Sequence, residues 1–393
     1  MGTALNSFRA GLRREWADLR TSRLARVQLL WLPLGCVALL WAVFARGVAT
    51  GLPVTVVDLD RSSASRQLVR ALDATPGLAV RARPETLADG QAAVRRGTAE
   101  AVVLVPRDFM RRLKRGEAAE VTAWFNAQFL LTGNVVAREL QSAVLTFSAQ
   151  AEARARLARG EPRVAVGISL QPVAARRDTL HNPSLNYLPF LVAGLSATVV
   201  QMLAMLAAVR AVGRELRDGT AGEWLAASGG RIGPAVAAKC VLPVAAGSAA
   251  GAAFLAGLHG WYGWPMPGSW LMLLGALLLM VLAYTGLGLL VTALTANYRL
   301  ASSVAAFVTA PALAFAGLTF PLGSMPGPAE IWGQLLPLTT FLRLQIEQAG
   351  RGAAAAGSAM ELLILGAVTV VTFAAALPLL AWRARDPRCW GRR

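Results

Sequence analysis

"LPFLVAGLSATVVQMLAMLAAV", residues 188–209, contains no charged residue. A hydrocarbon core of about 30 Å is crossed by a helix of about 20 apolar residues, so this stretch reads as a membrane span. Directly after it comes "RELRDGTAGEWLAASGG", residues 214–230, which carries both signs of charge, a Gly-Thr step and one tryptophan that reads as exposed. A second apolar run follows, so the charged stretch is a loop between spans and too small to be a domain. Working outward, comparable apolar runs lie at 27–45, 235–258, 270–294, 300–320 and 362–382. The chain therefore reads as an α-helical integral membrane protein with six transmembrane helices, one of them well separated from the other five. The run at 235–258 is the weakest, being rich in Ala and Gly and carrying Lys239 near one end.

Bulk composition agrees: 55% of residues are hydrophobic and only 16% charged, with a mean hydropathy of +0.49. A soluble domain carries more charge. The formal net charge of +17 does not point to nucleic acid, because the arginines are spread rather than striped. Their placement fits topology instead. Arg9, Arg13, Arg14, Arg20, Arg23 and Arg26 precede the first span, and Arg383, Arg385, Arg388, Arg392 and Arg393 follow the last. The positive-inside rule puts both termini in the cytoplasm, as an even number of spans requires. Arg210, Arg214, Arg217 and Arg231 then flank a cytoplasmic loop, while 259–269 has no Lys or Arg and lies outside.

The first run could be read as a cleaved signal peptide, with Val48-Ala49 as its end or Leu34-Gly35-Cys36 as a lipoprotein box. Apolar residues continue past Cys36 to Phe44, however, and removing the run would leave an odd number of spans, so it reads as an uncleaved anchor. Cys36 and Cys240 fall in spans and Cys389 in the tail, which leaves the outer domain without a disulfide.

The organisation follows. Residues 1–26 read as a cytoplasmic amphipathic helix, with Leu5, Phe8, Leu12, Trp16 and Leu19 at helical spacing and a place in the headgroup plane; a plain basic arm is the alternative. Residues 27–47 form the first transmembrane helix, and 48–186 alone have the composition of a water-soluble domain. In it "PVTVVDLD", "LAVRAR", "AEAVVLVP", "EVTAWFN" and "VAVGISLQP" read as strands. Helices between them are marked by the natural N-cap Ser62, by Gly97, by Gly116 and by a long pattern over 129–159. This alternation predicts a periplasmic α/β domain inserted after the first helix. Residues 187–382 hold five transmembrane helices, with a cytoplasmic segment at 213–231 and an outer hairpin at 321–357. The prolines of that hairpin impose short broken helices, and 383–393 are a basic tail.

Catalytic and cofactor motifs fail one by one. The Asp58-Leu59-Asp60 stretch lacks the glycine and glutamate of a calcium loop, having Ser63 and Val69 in those places. His181 and His259 stand apart, and Gly194-Leu195-Ser196-Ala197-Thr198 lacks the last glycine of a nucleophile elbow. Lys114 and Lys239 are preceded by Leu113 and Ala238, so there is no P-loop. The span interiors hold no Asp or Glu for ion coupling. No cofactor, metal or catalytic site is expected on this chain, and uphill transport would need energy from a partner. Gly247 and Gly251 form a small-residue pair that reads first as helix packing within one subunit and second as a dimer face.

In the loop, Thr220 is placed to N-cap a short helix from Ala221, with Glu223 in its first turn. Trp224 and Leu225 supply apolar bulk for lipid or another protein. The pattern Arg214, Glu215, Gly219, Thr220 resembles the membrane subunits of type-2 ABC exporters. "VVDLDRSSASRQLVRAL" resembles the opening of that family's outer domain, with Asp58, Asp60, Ser62 and Ser65 in matching places. "NPSLNY" at 182–187 resembles the approach to its second span. "PALAFAGLTFPLGSMP" with "LLPLTTFLRL" resembles its fifth span and outer hairpin, here Gly317, Phe320, Pro321, Met325, Pro326 and Pro337. The resemblance spans nearly the whole chain. One departure is Gly222, where the family usually has Glu; here Glu223 comes one residue later.

The resemblance implies a permease subunit of a bacterial inner-membrane exporter for a hydrophobic or amphipathic compound. It makes Arg214, Glu215, Asp218, Gly219, Thr220, Glu223 and Trp224 the coupling element docked on a separate ATP-binding subunit, which would carry the ATP and Mg. It further implies pairing with a second copy or a paralogous permease, and an outer domain that hands cargo to a periplasmic membrane-fusion adaptor. The lipid bilayer is the remaining partner, and nucleic acid is not one. The competing reading is a membrane-anchored receptor or scaffold with a periplasmic ligand-binding domain, although no cytoplasmic loop is large enough for an output domain.

Overall fold

The computed structural model describes residues 2–45, 47–160, 182 and 186–391. Two compact units divide the chain: Met1–Ala45 with Tyr187–Arg393, and Arg46–Asn186.

Helices make up the first unit. α1 is Gly2–Thr21 and α2 is Arg23–Phe44. After the second unit come α7, Leu188–Arg217, the short α8, Ala221–Ala227, α9, Ile232–Trp261, α10, Trp270–Thr295, and α11, Tyr298–Phe315. α12, Gly327–Leu335, and α13, Pro337–Gln345, precede the last long helix α14, Ala355–Arg383. Among the described residues six helices are long and apolar enough to cross a membrane: α2, α7, α9, α10, α11 and α14.

α10 is the core of this unit, with Leu273, Ala276, Met280, Val281, Tyr284 and Leu289 buried. Its glycines set the spacing. A Cβ on Gly286 would strike Thr372 of α14, and one on Gly288 would lie 2.6 Å from the Met205 carbonyl oxygen of α7. Helices in lipid gain association energy from such close approach, because apolar burial alone offers little there. The pair Gly247 and Gly251 serves the same purpose within the chain, with Cβ positions 3.3 Å from Val281 and 2.6 Å from Leu277.

Helix limits differ from the hydropathy reading where polar residues dilute an apolar run. α9 begins at Ile232, so Lys239 lies inside the helix rather than at its edge. α11 ends at Phe315 instead of 320 and is interrupted at Pro311, which has no N–H to donate to the preceding turn. Gln201 of α7, fully buried, donates to the Thr309 carbonyl beside that break at 3.2 Å. As expected, the segment from Pro321 breaks into short helices, α12 and α13. The Leu338 N–H at the start of α13 donates to the Tyr284 hydroxyl at 3.4 Å.

The second unit is a layered α/β fold. Its strands are β1, Leu52–Asp58, β2, Leu78–Ala82, β3, Ala101–Val105, and β4, Thr122–Phe125. They form one sheet in the order β2-β1-β3-β4, with β1 parallel to β2 and β3, and β4 antiparallel to β3. α3, Ser63–Asp73, α5, Phe109–Arg115, and α6, Leu130–Ala158, share a core with the sheet built on Val54, Val56, Leu68, Leu72, Val103, Phe109 and Leu140. α4, Leu87–Arg95, brings Gly90 against Val57 and Val102 of the same sheet. Central strands covered on both sides read as unbroken apolar runs, which is why "VVLV" lacks alternation. Ser62 caps α3 by accepting from the Ser65 N–H, and Gly116 ends α5 in the left-handed region at φ 72°. The strand expected in "VAVGISLQP" lies outside the described residues.

Candidate functional site

α7 ends in "GRELR", residues 213–217, and its last turn projects charge inward as well as outward. Glu215 is 2% exposed and Lys239 of α9 is 1% exposed. Burying either charge alone would cost several kcal/mol, so each needs partners. The Lys239 Nζ donates to Glu215 Oε1 at 2.9 Å and to Glu15 Oε1 of α1 at 2.6 Å. Arg14 donates to Glu215 Oε2 at 3.0 Å. Arg214 donates to Asp18 at 2.6 Å and stands 4.0 Å from Glu15. Three carboxylates, Glu15, Asp18 and Glu215, thus face three cations, Arg14, Arg214 and Lys239.

α1 can approach this closely because Gly11 faces α9; a Cβ there would lie 2.8 Å from Ala238. The sequence reading located the apolar stripe of α1, whose Leu5 and Trp16 are exposed at its surface. The adjoining face of α1, carrying Gly11, Arg14, Glu15 and Asp18, meets the bundle. Arg210, one turn up α7, donates to Gln28 at 3.2 Å and to Ser22 at 3.4 Å, tying in the start of α2.

Beyond Glu215 the chain turns through Gly219 at φ 74°, a region that costs a residue with a Cβ about 1–2 kcal/mol. The Thr220 N–H donates to the Glu215 carbonyl at 2.9 Å. Its hydroxyl was expected to cap α8. It donates instead to Glu215 Oε2, and α8 has no side-chain cap. A carboxylate is a strong acceptor for a hydroxyl, and this bond turns the Thr220 side chain toward Glu215.

Trp224, read from sequence as exposed, is 2% exposed. Its ring packs among Val212, Leu216, Ala235, Leu289 and Leu380, and Lys239 Nζ sits 5.4 Å from its centroid. Leu225 is buried in the same cluster. A bulky side chain in a loop between spans is as suited to filling the end of a helical bundle as to meeting a partner. Arg217, Asp218, Gly219 and Glu223 are exposed. Arg217 grips Asp218 with two hydrogen bonds, at 2.7 and 3.0 Å, and these, with the guanidinium charge, hold the Asp218 carboxyl below its usual range.

Gly222 has a local cause. A Cβ there would lie 2.9 Å from the ring of Trp390 in the C-terminal segment, and the Gly391 N–H donates to the Leu216 carbonyl at 2.9 Å. Arg383 fixes the same end of the bundle by donating to the terminal carbonyls of α10, Ala293 at 3.1 Å and Leu294 at 3.3 Å.

The hairpin residues belong to the other end of the same helices. Gly317, at φ 78°, makes the turn after α11; Phe320, Pro321 and Pro326 are exposed, Met325 is half-buried, and Pro337 is buried where α13 starts. Gly333 of α12 passes against the Phe315 carbonyl, where a Cβ would clash. Among the described residues no group of three or more His, Cys, Asp or Glu is arranged to hold a metal ion, and Cys36, Cys240 and Cys389 are free thiols.

A protein-family profile described as "ABC-2 family transporter protein" matches residues 27–377. No curated protein matches the chain.

Proposed function

Because the chain belongs to the ABC-2 family of transporter membrane subunits, a multi-pass family whose members work with an ATP-binding subunit, we propose that it is the permease subunit of an exporter. Its cargo is a hydrophobic or amphipathic compound moved across the inner membrane of a bacterium, with the α/β unit on the periplasmic side and both termini in the cytoplasm. Two six-span halves, two copies or a paralogous pair, complete the pathway. A periplasmic adaptor receives the cargo from the α/β unit.

The observation that carries this reading is the division of residues 214–231 into an exposed face and a clamped base. Arg217, Asp218 and Glu223 offer charge to a partner, while Glu215, Thr220 and Trp224 anchor the same segment in the bundle. Movement of an ATP-binding subunit against the exposed face passes to α7 and α9 through that base, and through Lys239 to α1. ATP and its Mg belong to the partner subunit.

The test is purification of the full chain in mild detergent from its host, with and without cross-linking at position 223, followed by mass spectrometry. A stoichiometric P-loop protein supports the reading, and its absence in both preparations overturns it in favour of a membrane-anchored receptor. Glu223→Lys is then expected to abolish cargo-stimulated ATP hydrolysis while leaving insertion intact. Unchanged stimulation in that variant rules out the exposed face as the docking surface. Trp224 is unsuitable for this purpose, because its removal opens the core.

A further inference from the structure

α1 carries two acidic residues, Glu15 and Asp18, and both are spent inward on Lys239 and Arg214. The outward face is left with uncompensated positive charge. Arg9, Arg13 and Arg20 stand exposed beside Leu12 and Trp16, at spacings of four and seven that put them on one side of a helix. Arg9 and Arg13 make no ion pair among the described residues, whereas Arg20 lies over the Trp16 ring at 5.6 Å. Between this face and α9 runs a groove of about 670 Å³. It is lined by Arg9, Leu12, Arg13, Trp16 and Arg20 of α1 and by Val241 and Leu242 of α9.

Val241 and Leu242 lie in the membrane-crossing helix α9, just beyond Lys239. The groove therefore joins a cationic rim to apolar wall that continues into the spanning region. Only a ligand with an anionic head and a hydrocarbon tail matches both halves. A free phosphate would leave Leu12, Trp16, Val241 and Leu242 in water, and a neutral lipid would leave the arginines without a counterion. Arginine, with its planar fork of donors, is suited to a phosphodiester, and tryptophan to the headgroup level. We infer that this groove binds an anionic phospholipid, with its phosphate held by Arg9, Arg13 and Arg20 and an acyl chain along Val241 and Leu242.

The full-length protein would be reconstituted in nanodiscs of equimolar phosphatidylglycerol and phosphatidylcholine, released, and read by native mass spectrometry for retained lipid. Wild type is expected to keep phosphatidylglycerol over phosphatidylcholine. A triple Arg9→Ala, Arg13→Ala, Arg20→Ala variant should lose that preference by about a hundredfold, since each basic residue at an anionic surface contributes about fivefold. Arg385→Ala with Arg388→Ala, which removes exposed charge from the tail, should leave the preference intact. These arginines point away from the buried ion cluster, so folding should survive, and Arg13→Ala alone serves if the triple variant does not purify. Equal retention of the two lipids by wild type overturns the assignment, and so does an equal loss in the tail variant. Displacement of the lipid by inorganic phosphate would show that the arginines hold a free anion instead.

Discussion

Lys239→Met removes a charge that two carboxylates share, and its consequence can be worked from the distances. Lys239 Nζ is 2.6 Å from Glu15 and 2.9 Å from Glu215, and methionine fills nearly the same volume without a charge. Breaking a buried ion pair by removing one partner costs about 3–5 kcal/mol, chiefly because the other charge stays buried. Here the lower end applies. Arg14 still holds Glu215 at 3.0 Å, and Arg214 still stands 4.0 Å from Glu15. The loss falls on the docking of α1, whose buried contacts centre on Glu15, so a cost of about 3 kcal/mol shifts that equilibrium roughly 100-fold. α1 contains Arg9, Arg13, Arg14 and Arg20, which makes limited trypsin digestion of the purified full chain a direct assay. When opening and closing are fast, cleavage follows the open population, so Lys239→Met should be cut at these arginines about 100-fold faster than wild type. Adding Glu15→Gln removes the stranded charge and should recover most of the loss. Cleavage accelerated less than about fivefold, or a double variant no better than the single, would refute the account of α1 as held by this network.

Two other outcomes follow from the packing. Gly288→Ala places a methyl 2.6 Å from the Met205 carbonyl oxygen and 3.0 Å from the Ala208 Cβ; since the first obstacle is backbone, α7 and α10 must part. A cost of about 1–3 kcal/mol is expected, read as a lower thermal aggregation midpoint in detergent, and an unchanged midpoint would mean the helices already have slack. Ser62→Ala removes the hydroxyl that accepts from the Ser65 N–H at 3.1 Å. It should lower the stability of the α/β unit by about 1 kcal/mol, seen as faster hydrogen exchange confined to Ser63–Asp73, whereas Ser62→Asp should restore it.

The spans and the α/β unit were legible in the sequence because each is governed by a local rule. A run such as 188–209 has no other way to satisfy its backbone in lipid, and Ser62 and Gly116 mark helix ends by their own chemistry. The interior of the site was not, because its residues find one another across the chain. Glu15 and Glu215 are 200 positions apart, as the residue numbers in the sequence show, and hydropathy averages out a single Lys239 within an apolar helix. The available signal was that lysine itself, one of two in the chain, well inside a span and far too costly to bury unpaired. The acids at positions 15 and 18 on an otherwise arginine-rich arm were its matching half. Trp224 failed for a related reason: hydrophobicity says that a side chain leaves water, not which surface receives it.

Glu215 is where the charges of this end converge. One carboxylate accepts from Lys239 of α9, Arg14 of α1 and the Thr220 hydroxyl at the start of α8, while its own backbone belongs to α7. Four elements therefore share a single side chain, and none of them can move away without leaving a charge or a donor unpaired. Hydrogen bonds to an ionised acceptor in a low-dielectric setting are strong and geometrically narrow, so the arrangement moves as one body or breaks. The ring of Trp224 lies beside the lysine, with Lys239 Nζ 5.4 Å from its centroid. On the proposed function, a force on the exposed Glu223 side of α8 has a short route into α7 and α9. Inside the cluster three carboxylates meet three cations, and the outward face of α1 keeps two arginines, Arg9 and Arg13, without an ion pair among the described residues.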